Sequence, residues 1–400
     1  MLENIIGHFN TVHTLKEELQ RETLPQALLF NGPIYSGKLS TALEVARVLT
    51  CETATGDWNC LCRSCQQQRL MVHPSTLLLG ARYFMLEISA SADVLYRTKK
   101  EFAQYLFIRA VRKLLRRFDS ILWENEESRI KPALSLAVEI EESLGPLAPG
   151  HELAKVDGLS GELEKLMKLC EKLASHLKTD NIPVQQIRRV SYWAHLSSQS
   201  KKKIIILENA DKMVESSRSA LLKILEEPPK DLYFFLLTTR KGAMVRTILS
   251  RVRPYAFVER TEKTQTEVLQ RIFREDTGSY RSLREYFLAW KGINPVELRK
   301  MALKFFNRVI DREPSVGYVL EEFPELLSSD NAAEVLLSFG EELLSLFRSF
   351  IREKPGDMPS LEVLEKWTDL LERSLIAMNT MNLKSSLVLE DLFYRMKEIR

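Results

Sequence analysis

The feature that narrows this chain furthest is a G-x-x-x-x-G-K motif, spelled Gly32-Pro33-Ile34-Tyr35-Ser36-Gly37-Lys38. It falls between a short apolar run at 27–30 and a helical pattern that puts Leu39, Ala42, Leu43, Ala46 and Leu49 on one face. A loop so placed turns several backbone N–H groups toward a phosphate. The helix N-terminus adds its positive dipole end, and the lysine ammonium neutralises the outer phosphates. Further buried strands are expected at 76–79, at 203–207 (KIIIL), at Leu232–Thr238 (LYFFLLT) and at 255–258, with helical patterns at 184–196 and 216–225 between them. Apolar runs alternating with helices predict an α/β fold built on a parallel sheet covered on both faces.

Residues from about 92 to 180 break that alternation. Ser91-Ala92-Asp93 is expected to cap one long helix carrying Val94, Leu95, Phe102, Leu106, Val111, Leu114 and Leu115. Helices at about 132–144 and 161–177 come next, separated by the breaker LGPLAPGH. This stretch reads as a helical insertion. Past residue 261 the apolar spacing is three and four, and no strand is expected. Four hundred residues exceed one hydrophobic core, so several domains are expected. They are an α/β domain over 1–260, with a cysteine module at about 51–73 and the insertion at about 84–180, a small helical domain over 261–312, and a helical bundle over 313–400. Breaks are read near Ile293-Asn294-Pro295 and Arg312-Glu313-Pro314.

The phosphate loop lacks what hydrolysis requires. The position after Lys38 should carry a hydroxyl to hold Mg²⁺, and it is Leu39; Ser40 and Thr41 come after it, but one residue along a helix rotates a side chain by about 100°. After KIIIL an ATPase would place an Asp for the metal and a Glu for the water, and this chain has Glu208-Asn209-Ala210-Asp211. Gly32, Gly37, Lys38 and Glu208 are therefore candidates for a degenerate nucleotide site that turns over no ATP. Nucleotide binding without hydrolysis stays open, as does a loop kept only to shape the turn.

Cys51, Cys60, Cys62 and Cys65 cluster, while Cys170 stands alone. Four thiolates suit tetrahedral zinc, and the Cys62-x-x-Cys65 pair lets two sulfurs reach one ion from a tight turn. The expectation is a structural Zn²⁺ rather than disulfides or four reduced thiols. No open coordination position or His/Glu set suggests a catalytic ion, and His73 is expected to pack or cap rather than ligate. Arg97, Lys99, Lys100, Arg109, Arg112, Lys113, Arg116 and Arg117 load the first helix of the insertion with charge. They could neutralise phosphates, but are read as a solvated face balanced by Glu124, Glu126 and Glu127. The net charge of +3 is too small to imply a polyanion partner. No run of roughly 18 apolar residues would span a membrane, and the first residues lack the pattern of a secretory signal. The chain is expected in the cytoplasm.

The order GPIYSGK, four cysteines, KKKIIILENADKM, SALLKILEEPPKDLYFFLLTT and ILSR resembles the bacterial DNA polymerase III clamp-loader subunits of the AAA+ class. ALLKILEEPP is the most specific of these segments. IPVQQIRRV also resembles the family, as does AMNTMNLKSSLVLEDL, which is similar to its last collar helices. The resemblance implies an AAA+ domain, a helical lid over 261–312 and an oligomerising collar over 313–400. Leu39, Glu208, Asn209 and Pro295 point within it to the delta-prime kind, which lacks its own ATPase site. Thr247-Ile248-Leu249-Ser250-Arg251 is similar to the family's Ser-Arg-Cys motif, with Val252 in the Cys place. This implies that Arg251, with Ser250, serves as an arginine finger on ATP bound by a neighbour. The partners so implied are the gamma/tau and delta subunits and, through the complex, the sliding clamp and primed DNA. The family's zinc module has the spacing C-x8-C-x2-C-x2-C, whereas here Leu61 alone separates Cys60 from Cys62. An active gamma/tau-type ATPase and a DNA-binding or scaffold homologue are the competing readings.

Overall fold

In the computed structural model the apolar runs become β1 (Ala27–Asn31), β2 (Thr76–Gly80), β3 (Lys203–Glu208), β4 (Leu232–Thr238) and β5 (Arg253–Ala256). They pair in parallel in the order β2-β3-β4-β1-β5, with Leu78 opposite Ile206, Ile206 opposite Phe235, Leu29 opposite Leu236 and Phe30 opposite Tyr255. The structure describes residues 1–80, 82–124, 127–153, 158–177, 181–196, 202–311, 323, 332–353, 359–381 and 383–399.

Successive strand side chains point to opposite faces, and both faces are buried along β1 to β4, while the edge strand β5 buries only Tyr255. Leu28, Phe30, Leu78, Ile204, Ile206, Phe235 and Leu237 share one core with α1 (Phe9–Gln20) and α2 (Lys38–Leu49). Leu29, Leu77, Leu79, Ile205, Leu207, Phe234 and Leu236 share the other. That second face is covered by α4 (Met85–Thr98), α5 (Glu101–Leu115), α7 (Glu127–Leu144), α8 (Leu159–Ala174), α9 (Val184–His195) and α10 (Glu215–Glu226). Between these lie the short α3 (Arg63–Arg69) and α6 (Ser120–Trp123), and α11 (Arg246–Leu249), α12 (Glu262–Val268) and α13 (Leu283–Trp290) come later in the chain. The insertion is thus no appendage: Phe107, Ile108, Val111 and Leu114 of α5 belong to the main core.

The long helix expected from Ser91 is two helices. Ser91 sits inside α4, fully buried, and donates to the Ile88 carbonyl at 2.9 Å rather than capping. The break comes at Lys99, which is left-handed at φ 51 and caps α4 through a bond to the Leu95 carbonyl. Two adjacent exposed lysines have no apolar contact to hold them in a continuous helix, and the turn lets α5 double back on α4.

Lys203 opens β3 with a buried ammonium that donates to the Trp193 carbonyl at 2.6 Å, to Ala194 at 3.2 Å and to Leu196, closing the C-terminus of α9. Its pKa is lowered by burial, yet three carbonyls satisfy it. Lys203→Met takes this donor from all three carbonyls, of which Trp193 keeps the Leu196 amide at 3.2 Å, and is expected to cost about 1–3 kcal/mol, read as a lower thermal midpoint.

The chain divides into a unit of residues Met1–Phe287 and a unit of residues Leu288–Arg400. The second is helical among its described residues, with α14 (Pro295–Ile310), α15 (Ala332–Glu353), α16 (Leu361–Met381) and α17 (Ser385–Glu398). Phe305, Phe306, Phe339, Phe347, Trp367 and Phe393 fill its core, and the Trp367 indole donates to the Met396 carbonyl at 2.7 Å. Asn294 caps α14 by accepting from the Val296 and Glu297 amides, with Pro295 at the first helical position. The break read near Arg312 lies outside the described residues. Among the described residues no helix is long and apolar enough to cross a membrane.

Candidate functional site

The phosphate loop is built as the motif demands, but its groups are spent on the loop itself. The Lys38 ammonium donates to the carbonyls of Gly32 at 2.7 Å and Pro33 at 2.5 Å and to the Ser36 hydroxyl at 3.1 Å. Burial lowers its pKa to about 8, against the pull of Glu208 and Asp211. Both glycines have packing reasons to be there. A Cβ on Gly32 would stand 2.0 Å from the Phe257 carbonyl oxygen, and one on Gly37, left-handed at φ +87, would stand 2.5 Å from Nη2 of Arg260. Arg260 seals this end of the loop by donating to the carbonyls of Tyr35 and Ile6. Leu39 is buried, Ser40 is exposed, and the Thr41 hydroxyl is bonded back to the Gly37 carbonyl at 3.0 Å.

Glu208, at the end of β3, is committed elsewhere. Arg82 donates to one carboxylate oxygen at 2.7 Å and Arg117 to the other. Burial pushes Glu208 up, but these two guanidinium groups outweigh it and hold the carboxyl below its ordinary range. Arg82 also pairs with Glu87, and Glu87 with Lys113. Nearby, the buried Asp211 accepts from the Thr238 hydroxyl at 2.6 Å and pairs with Arg240 at 3.3 Å.

These contacts overturn the reading of the basic helix as a solvated face. Only its start is exposed, at Arg97, Lys99 and Lys100. Lys113 and Arg117 are buried, and three arginines one turn apart cap backbone carbonyls from the end of α3 to the start of β2. Arg109 donates to the Arg69 carbonyl at 3.0 Å, Arg112 to Leu70 at 2.9 Å, and Arg116 to His73 at 3.1 Å and to Thr76. The spacing of three and four was visible in sequence; the orphan carbonyls at the end of α3 that attract it were not. Of the acids expected to balance this face, Glu124 pairs with Arg189, and Glu126 lies outside the described residues. Glu141 of α7 supplies a partner for Arg112 instead.

Arg251 stands at the surface after α11. Its guanidinium donates to Oε1 of Glu226 at 2.6 Å, to the Thr247 carbonyl at 2.9 Å and to the Ser250 hydroxyl at 3.3 Å. Ser250 in turn donates to the Thr247 carbonyl at 3.0 Å. Glu226 closes α10 within ALLKILEEPP, so the two most specific segments of the sequence meet in one ion pair. The Glu226 partner was missed in sequence.

The four cysteines converge. Their sulfurs all lie within 4.8 Å of one another, and Cys51 and Cys60 are 3.7 Å apart, close to the edge of a tetrahedron with metal–sulfur bonds of about 2.3 Å. The short Cys60–Cys62 gap does not keep Cys60 from the cluster. Cys62 caps α3, its sulfur accepting from the Cys65 amide at 3.4 Å. Burial opposes ionising Cys51, but bonds from the Thr53 hydroxyl and the Gly56 and Thr53 amides lower its pKa to about 6. Such a donor set can hold a metal ion. His73 is buried outside it, accepting from the Ser75 amide at Nδ1 and bonded to Ser64 at Nε2; burial and Arg116 lower its pKa to about 4, so the ring is neutral at pH 7.

A family model described as DNA polymerase III, delta subunit, matches residues 7–118 and 161–261, more than half of the chain. The unmatched 119–160 contain α6 and α7, while α4 and α5 fall inside the match. Among curated relatives, DNA polymerase III subunit gamma/tau of Mycobacterium tuberculosis (strain ATCC 25618 / H37Rv) is 30% identical over 135 residues, 34% of this chain and 20% of that protein. DNA polymerase III subunit delta' of Buchnera aphidicola subsp. Schizaphis graminum is 38% identical over 83 residues, 21% of this chain and 25% of the relative. The delta' subunit of Bacillus subtilis (strain 168) is 39% identical over 59 residues, 15% of this chain and 18% of the relative. Each match therefore spans a quarter or less of the relative's own length.

Proposed function

The chain belongs to the DNA polymerase III delta-subunit family, and from that premise we propose that it works as a delta-prime-like clamp-loader subunit, lending Arg251 to ATP on a neighbouring subunit and hydrolysing none itself. The observation that carries this reading is an asymmetry between two charged groups. Glu208, the acid that would serve the chain's own nucleotide, is locked between Arg82 and Arg117, whereas Arg251 is held out at the surface by Glu226. A guanidinium delivered across a subunit boundary stabilises charge on a phosphoryl group in transfer. The partners would be gamma/tau and delta subunits, and through them the sliding clamp and primed DNA, with the helical Leu288–Arg400 unit as the oligomerising collar. The four cysteines would hold a structural Zn²⁺. Among the arginines of α5, burial and backbone contacts argue against a phosphate-binding face, which weighs against the DNA-binding alternative.

The test is turnover by the chain alone and in a reconstituted complex. The purified chain is expected to hydrolyse no ATP above background, unchanged by Lys38→Ala, and to raise clamp-dependent turnover when added to gamma/tau and delta. Hydrolysis by the lone chain that Lys38→Ala abolishes would establish the gamma/tau-type reading instead. For the metal, metal analysis is expected to find about one zinc per chain, and Cys60→Ser to lose most of it. Full zinc retention in that variant would remove Cys60 from the ligand set.

A further inference from the structure

Four thiolates around one divalent cation leave a net negative charge, here beside a fully buried Cys65. Something must offset that charge and shape the loop that carries the ligands. Arg47, in the last turn of α2 and 1% exposed, is placed to do both. Its Nη1 donates to the Cys65 sulfur at 3.2 Å and to the Asp57 carbonyl at 3.0 Å. Its Nη2 donates to the Gly56 carbonyl at 2.9 Å and to Oε1 of Glu44 at 2.6 Å, and its Nε lies 3.1 Å from both Glu44 oxygens. One planar group therefore touches a ligand sulfur, two carbonyls of the loop between Cys51 and Cys60, and a carboxylate one turn back that fixes its orientation. Arg69 of α3 grips the next stretch of the same loop, donating to the carbonyls of Cys60 at 2.7 Å and Trp58. The loop sits tightly on α2: Gly56 is left-handed at φ +59, and a Cβ there would meet Val48 at 2.8 Å.

We propose that Arg47, oriented by Glu44, is the positioning residue of the four-cysteine metal centre, bonding the Cys65 sulfur and fixing the loop that delivers Cys60 across its short gap to Cys62. This rests on the zinc reading above. Groups of this kind behind metal ligands change affinity by about 10–100-fold when removed. Lysine cannot replace the fork, because its single ammonium cannot reach sulfur, two carbonyls and a carboxylate in one plane.

The experiment uses the full chain as wild type, Arg47→Met, Arg47→Lys and Glu44→Gln, with Zn²⁺ affinity measured by competition against a chromogenic chelator. Co²⁺ is then substituted and its thiolate-to-metal charge-transfer band recorded. Arg47→Met is expected to weaken Zn²⁺ binding by about 10–100-fold and to move the Co²⁺ band to lower energy, since a sulfur without its N–H donor gives up charge more easily. Arg47→Lys is expected to recover part of the affinity, and Glu44→Gln, which keeps the guanidinium but loosens its anchor, to fall between. Should Arg47→Met fail to fold, Glu44→Gln and Arg47→Lys carry the same comparison. Wild-type affinity with an unshifted Co²⁺ band in the folded variants overturns the role of Arg47 and leaves the zinc reading standing. A wild-type chain that takes up neither Zn²⁺ nor Co²⁺ overturns both.

Discussion

Replacing Arg251 with alanine is expected to lower clamp- and DNA-stimulated ATP turnover of the reconstituted complex by about a thousandfold, the low end of what arginine fingers contribute. That corresponds to about 4 kcal/mol of barrier. The loss should appear in turnover rather than in folding. The Arg251 side chain is about a third exposed, and its partner Glu226 is half exposed. A pair so placed contributes at most about 1 kcal/mol to stability, so thermal midpoint and co-purification with the other subunits should hardly change. Arg251→Lys keeps a positive charge but loses the planar fork, and should recover little of the rate. Glu226→Ala frees the guanidinium without removing it, and a loss of roughly tenfold is expected from poorer pre-organisation. Steady-state turnover with saturating clamp and primed DNA reads all three. Wild-type turnover in the Arg251→Ala complex would show that the finger belongs to another chain.

The sheet was legible because four of its five strands, all but the edge strand β5, are buried on both faces. KIIIL and LYFFLLT admit no amphipathic helix of useful length, and each strand was found to within a few residues. Long-range charge pairing was not legible. Arg117 is separated from Glu208 by 91 positions and Arg82 by 126, and no local pattern links them. The departures at Leu39 and Asn209 were visible as missing groups, but not that two arginines would take up the remaining acid. The same blindness made a buried, carbonyl-capping helix look like a solvated one, since charge on a helix face carries no sign of what the face meets. Arg47 had a local signal, Glu44 one turn before it, but an i, i+3 pair reads equally well as exposed.

The buried network that locks Glu208 should also set the acid limit of the first unit. Burial alone would raise the Glu87 pKa, but Lys113 and Arg82, and the nearby Arg109, more than cancel it and hold the carboxyl at about 2 against an ordinary 4.5. A carboxyl whose folded pKa is depressed contributes stability that is present above its unfolded pKa and is lost as pH falls toward the folded one. The window is therefore about pH 5 down to about 2, and a carboxyl moved from 4.5 to about 2 contributes roughly 3 kcal/mol. Burial lowers Lys113, against the pull of Glu87. Glu87→Gln cannot titrate: it should be less stable than wild type at pH 7, by an amount that shrinks by roughly 3 kcal/mol as pH falls through the window. Urea unfolding tracked by circular dichroism at several pH values reads the difference. Parallel pH profiles for the two proteins would mean that Glu87 is already solvated in the folded chain. The arginine clamp on Glu208 would then be too loose to support the proposal that this chain turns over no ATP of its own.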